Sequence, residues 1–218
     1  TEEIQACRDG YIYVHDMSAR RDTMNCCLFD VQNVLSGGFE MGNVWYNEPK
    51  SLDVAFDVIG DIVLSAASQQ YGGFTVPSVD LILEPYAEKS YRRYIEKYLR
   101  LGIGQAAAQK EADADVAREF EQGFQGWEYK FNTVGSSRGD YPFITVTAGT
   151  GTGRFARLAT ITMLEVRRKG QGKEDHKKPV LFPKIVFLYD ENLHGPGKPL
   201  EDVFEAGVRC SAKTMYPD

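Results

Sequence analysis

Residues 141–168, YPFITVTAGTGTGRFARLATITMLEVRR, constrain the fold more than any other stretch. A β-branched run passes through a glycine loop into an amphipathic helix expected over roughly Arg154 to Arg168. The apolar period changes there from two to 3.6. A little later LFPKIVFLYD, at 181–190, is a near-continuous apolar run of the kind buried in parallel sheets. A last helix is expected from about Leu200 to Lys213. Strand, helix, strand, helix after long helical segments predicts an α/β fold with a mostly parallel sheet or barrel.

Upstream, Ser51 is a plausible N-cap for a helix reaching about Tyr71, with Ala55, Ile59, Ile62 and Ala66 at helical spacing and YGG as its stop. A second helix follows Pro77, interrupted or begun again at Pro85, carries Tyr91, Tyr94, Ile95 and Tyr98 on one side, and ends at Arg100 and Gly102. The third, from about 105 to 131, sets Phe120, Phe124, Trp127 and Phe131 at i, i+4, i+7 and i+11, a helix-packing stripe. Ahead of these lie two β-like runs, YIYV at 11–14 and CCLFDV at 26–31, with SGGFEMGN as a glycine-rich loop. After Val134, SSRGD reads as a turn. The basic RRKGQGKEDHKK reads as a solvated surface excursion.

Composition removes whole classes of function. A net charge of −6 argues against a nucleic-acid partner, which needs a basic face. No apolar run approaches the roughly 18 residues of a membrane span, and no signal peptide opens the chain. Four cysteines, Cys7, Cys26, Cys27 and Cys210, are too few for a secreted disulfide framework, so a reducing cytoplasm is the expected compartment. The chain begins without Met and stops at CSAKTMYPD just after a helix, so a piece of something longer is expected.

Adjacent cysteines in MNCCLFDV pose the sharpest chemical question. Successive strand side chains point to opposite faces, so Cys26 and Cys27 are expected to look in different directions. They cannot then share one metal, whose ligands on one segment are usually two to four residues apart, and disulfide geometry is too narrow for neighbours. Two readings remain: both are core filler, or one faces a site while the other packs as a small hydrophobe. GTGTGR, at 149–154, sits where backbone N–H groups could hold a phosphate, but it lacks the Lys-Ser/Thr ending of a P-loop, and a tight strand-to-helix turn also explains it. His15-Asp16 could be an oriented imidazole. Lys50, Arg92, Arg93 and Arg138 read individually as solvated cations.

Taken in order, HD, NCCLFDVQNVLSGGFEMGN, PKS, YGG, YPFITVTAGTGTGRFARLATITMLEVR, VLFPKIVFLYD and CSAKTMYPD resemble the anaerobic (class III) ribonucleotide reductases over nearly all 218 residues. The resemblance implies a ten-stranded α/β barrel, of which 1–218 is one early piece. Residues 51–131 would be its helical dimer-interface and effector region, and 134–218 its strand–helix units. It implies reduction of ribonucleoside triphosphates through a glycyl radical installed by a radical S-adenosylmethionine activase. Asn25-Cys26 matches the family's first-strand pair, making Cys26 the thiol that faces the ribose and Cys27 its outward, packed neighbour. Lys50, Arg93 and Phe143 match positions that hold a deoxynucleoside triphosphate at a homodimer interface, and Asn47 and Asp61 stand where the family has other polar residues.

Several family parts have no counterpart in the 218 residues: the thiyl-forming cysteine, the glycyl-radical segment, the zinc-binding cysteines and the N-terminal ATP-cone. The polypeptide as given is therefore expected to bind no cofactor and not to turn over, while the intact enzyme would use ATP or dNTP effectors and a structural zinc. The reductant is left between formate and a thioredoxin-like protein. Two other readings stand beside this one. One is a glycyl-radical enzyme of the pyruvate formate-lyase type, which also carries adjacent cysteines. The other is a non-catalytic nucleotide-binding or dimerisation module.

Overall fold

The computed structural model describes residues 2–13, 25–70, 72–133 and 143–218. Four parallel strands lie in the order β1 (Cys27–Leu28), β4 (Phe74–Val76), β5 (Ile144–Ala148) and β6 (Lys184–Phe187), so every step across the sheet follows the chain. Helices make each crossover: α2 (Val31–Leu35) and α3 (Leu52–Ala67) before β4, then α4 (Val79–Arg100) and α5 (Gln105–Thr133), then α6 (Arg154–Lys169). Beyond β6 comes α7 (Glu201–Thr214), and α1 (Glu2–Arg8) precedes the sheet. Asp218 accepts from Phe187 N–H at 2.9 Å and donates to Ile185 O at 3.0 Å, which prolongs the sheet at the outer edge of β6.

Period-two alternation gives the sheet one packed face and one open face. Phe74, Val76, Ile144, Val146, Ala148 and Ile185 are buried against the helices. Leu28, Thr75, Thr145 and Lys184 stand in one register row across the four strands on the other face, half-buried or exposed. In a closed barrel that uncovered face is the inner one. The core under the packed face includes the whole Phe120, Phe124, Trp127 and Phe131 stripe of α5, with Phe56 of α3 wedged edge-on against Phe124 and Trp127 at 4.9 Å each.

Several expectations need correction. Tyr11, Ile12 and Tyr13 form no strand; they follow α1 and are exposed, and the fourth residue of that run lies outside the described residues. The 26–31 run yields a strand of two residues only. Asp30 then caps α2 by accepting from Asn33 N–H at 3.0 Å, which turns Val31 into a helix start. SGGFEMGN is largely an antiparallel hairpin, β2 (Phe39–Met41) with β3 (Val44–Tyr46), turned at Gly42 and Asn43. α3 ends at Ala67, with Ser68 as its C-cap, short of the expected YGG stop; Tyr71 lies outside the described residues, and Gly72 and Gly73 lead directly into β4, a strand too short for its period to be read. Ser51 does precede α3, yet its hydroxyl bonds Asp53, and Ser90 of α4 takes the Leu52 N–H at 2.9 Å. Pro85 does not break α4: the carbonyl it orphans belongs to Leu81, which is exposed to water.

Candidate functional site

At the N-terminal edge of β1 the chain crosses the segment that enters β4. Gly72 N–H donates to Asn25 O at 2.6 Å, and Gly73 O accepts from Cys27 N–H at 3.0 Å. Gly73 N–H in turn donates to the Cys26 sulfur at 3.3 Å. Any Cβ on Gly72 would overlap both Cys26 Sγ and Asn25 Oδ1, so this close crossing requires glycine. Asn25 and Cys26 are exposed. Cys27 is half-buried against the core and donates its thiol hydrogen to Gln70 Oε1 at 3.2 Å. Burial pushes the Cys27 thiol up, the Gln70 bond partly opposing it, whereas Cys210 is wholly buried in α7 and raised chiefly by that burial. Two adjacent thiols thus occupy two environments.

The five residues matched to an effector site separate into two groups within one chain. Asn47 and Lys50 lead into α3, where Lys89 of α4 holds Glu48 at 2.6 Å and Pro49 O at 3.2 Å. Arg93 is one turn further along α4 and pairs with Glu119 of α5 at 3.1 Å, beside the Tyr94 hydroxyl on the same carboxylate oxygen. Asp61 is at the other end, 3.5 Å from Lys130 of α5. Phe143 is there too: its ring stands edge-on to Phe182 at 5.7 Å, and Asn132 of α5 holds the Phe182 backbone. From Glu119 to Lys130 the helical rise is about 16 Å. No hydrogen bond or ion pair among the described residues joins any two of the five. His15, Asp16 and Arg138 lie outside the described residues.

The glycine loop after β5 is spoken for by carboxylates of its own chain. Asp80, fully buried at the start of α4, accepts from Gly149 N–H at 3.1 Å and Gly151 N–H at 3.0 Å. His194 Nε2 meets the Gly149 carbonyl oxygen at 2.8 Å, while its Nδ1 accepts from Asp190 N–H at 3.0 Å. Glu84 takes Ala156 N–H in the first turn of α6. Gly149 sits at φ +132°, and a Cβ on Gly151 would press on Asp80 and Ala156. The turn explanation of GTGTG is therefore sufficient, and two of its amides already face anionic oxygen. Asp80, Glu84, His194 and Gln70 escaped the reading of the sequence because each acts on a backbone group 2 to 72 residues away in the chain. Among the described residues no three His, Cys, Asp or Glu side chains group as metal ligands.

The family model for anaerobic ribonucleoside-triphosphate reductase matches residues 1–218, the whole chain. The chain belongs to this family. Its anaerobic ribonucleoside-triphosphate reductase relatives include that of enterobacteria phage T4, 38% identical over 221 residues, with 99% of this chain and 35% of that protein covered. The Escherichia coli K12 reductase is 34% identical over 218 residues, covering 99% of this chain and 30% of that one. The chain thus spans about a third of the length of its reductase relatives. The crystal structure of the anaerobic ribonucleotide reductase from Thermotoga maritima with citrate in the active site superposes at a TM-score of 0.69 and 15% identity, over 97% of this chain and 38% of that one. The same reductase in complex with dATP and CTP gives 0.65 and 15%, over 97% and 35%. The four-stranded parallel arc with its outer helices is accordingly part of an anaerobic-reductase α/β barrel.

Proposed function

We propose that this chain is the part of an anaerobic ribonucleotide reductase that supplies one redox thiol, Cys26, and the helices of a dNTP-sensing homodimer interface. The whole enzyme would convert ribonucleoside triphosphates to deoxyribonucleoside triphosphates in the cytoplasm. A radical S-adenosylmethionine activase would install its glycyl radical, and formate or a thioredoxin-like protein would be its reductant. The observation that carries the reading is the division of labour at 26–27. One thiol is exposed at the sheet edge with an amide on its sulfur; its neighbour is turned into the core. A thiol in the first position can give hydrogen to a ribose held against the open face, where a closed barrel keeps water and oxygen out. Asn25 would orient the same substrate. The structural zinc of the family has no ligand set among the described residues, and no step here depends on it.

Cys26→Ser in the full-length reductase should abolish deoxynucleotide formation. Cys27→Ala should mainly cost packing, about 1–2 kcal/mol. Equal loss of turnover in both, with the fold retained, would sink the assignment. Membership of the reductase family removes the support for a pyruvate formate-lyase reading.

The effector reading is supported by the way its residues divide. Asn47, Lys50 and Arg93 mark one end of the helical layer, and Asp61 and Phe143 the other. A two-fold axis across α3 and α4 would bring one protomer's first group to its partner's second. Cations would then face the triphosphate and the phenyl ring would stack on the base. Lys50→Ala or Arg93→Ala should weaken all dNTPs alike and flatten the salt dependence of binding, whereas Phe143→Ala should erode discrimination between bases. Unchanged binding in all three moves the site elsewhere.

A further inference from the structure

We infer that Gln70 is a positioning residue for the Cys26 thiol, an inference that rests on the reading of Cys26 as the redox thiol. Gln70 is 5% exposed, just past the end of α3. Its carboxamide works in both directions. Oε1 accepts from the Cys27 thiol at 3.2 Å, and Nε2 donates to Gly73 O at 3.1 Å and to Gly72 O at 3.4 Å. A buried amide of this kind is costly unless donor and acceptor are both used, and here both are.

Of the two peptides that Gln70 holds, Gly72–Gly73, bonded through Gly72 O, is the one whose N–H touches Cys26. Gly73 N–H reaches the Cys26 sulfur, and Gly73 O receives Gln70 and the Cys27 amide together. Two consecutive glycines have the widest conformational choice of any dipeptide. Backbone bonds to Asn25 O and from Cys27 N–H already hold the pair, and the Gln70 carboxamide adds the side-chain tether that keeps that N–H on the sulfur. With it, one sulfur lone pair is engaged and the S–H is left free to turn toward the open face.

The test uses the full-length reductase, anaerobic and before radical installation. Iodoacetamide alkylation of Cys26 is followed by peptide mass spectrometry in the parent, Gln70→Met, Gln70→Asn and Cys27→Ala, with circular dichroism alongside. The two Gln70 variants should slow Cys26 alkylation about fivefold, because thiol reactivity follows the donors around the sulfur. Cys27→Ala keeps the bond to Gly73 and should stay within about twofold of the parent. After activation the Gln70 variants should lose kcat with little change in the KM for the ribonucleotide, a split that a general packing defect would not produce. Asn is well tolerated at a helix end, so it decides the matter if the Met variant does not fold. Parent-rate alkylation in a folded Gln70→Asn protein overturns the inference, as does equal slowing in Cys27→Ala. If the Gln70 variants behave as expected while Cys26→Ser still turns over, the tether stands and the redox reading of Cys26 falls.

Discussion

Arg167 shows how much a single side chain can decide. It is fully buried in α6, with Nε on Glu128 of α5 at 2.7 Å and Nη2 on Pro183 O at 2.6 Å, while Nη1 is buried without a hydrogen-bond partner among the described residues. Glu128 also receives Gln171, so one carboxylate fastens α5, α6 and the loop beyond. Removing one partner of a buried pair strands the other charge. Arg167→Met should therefore cost about 3–5 kcal/mol in urea unfolding, and Arg167→Met with Glu128→Leu should recover most of it. A double variant no better than the single would mean that Arg167 acts by volume rather than charge. In the sequence Arg167 stands among basic residues at the edge of a stretch read as solvated. Nothing local distinguishes it from Arg168, which lies on the surface side of the same helix with Glu165.

At the scale of elements, α5 packs on α3 through a glycine that has no room to change. A Cβ on Gly123 would overlap the Phe56 ring, which Phe124 and Trp127 prevent from swinging away. Gly123→Ala should lose about 1–3 kcal/mol by overpacking. Gly126, three residues on, would meet nothing within 4 Å, so Gly126→Ala should gain about 0.5–1 kcal/mol from helix propensity. Equal effects at the two positions would contradict this packing. Two tyrosines of α4 add a pH dependence. Burial pushes Tyr86 up to about 12, and burial with the Glu119 carboxylate pushes Tyr94 up to about 12. A phenol raised in the folded state contributes stability that is whole below its unfolded value of about 10 and is lost as pH rises toward the folded one. The urea midpoint should fall across that alkaline window, and less steeply in Tyr94→Phe. An unchanged slope would remove Tyr94 from the account.

At the scale of the whole molecule, the two groups of the proposed effector site would meet only across two copies. The full-length reductase should sediment as a dimer at tens of micromolar. Lys50→Ala and Asp61→Ala homodimers should each bind dNTP weakly. A mixed dimer with one variant per protomer should regain one intact site of the two, because both lesions then fall in the same composite site. Failure of the mixed dimer to regain any affinity, with dimerisation intact, would place both groups in one protomer's site or in none.

Where side-chain period and local chemistry sufficed, the sequence alone determined the outcome. Its β5–α6 and β6–α7 units, the α5 aromatic stripe and the opposite orientations of Cys26 and Cys27 all follow from periods of two and 3.6 within single segments. Only the tertiary structure decided the rest. β4 is three residues long and exists because β1 and β5 flank it, the hairpin at Gly42 is stabilised by its own cross-strand pairs, and residues 11–13 are not strand. The same holds for the Cys27 contact of Gln70 and for Asp80, His194 and Arg167, whose roles lie in contacts with groups brought near by folding. A polar residue that satisfies a distant peptide leaves no periodic trace, and so its place becomes legible only when the chain has closed around it.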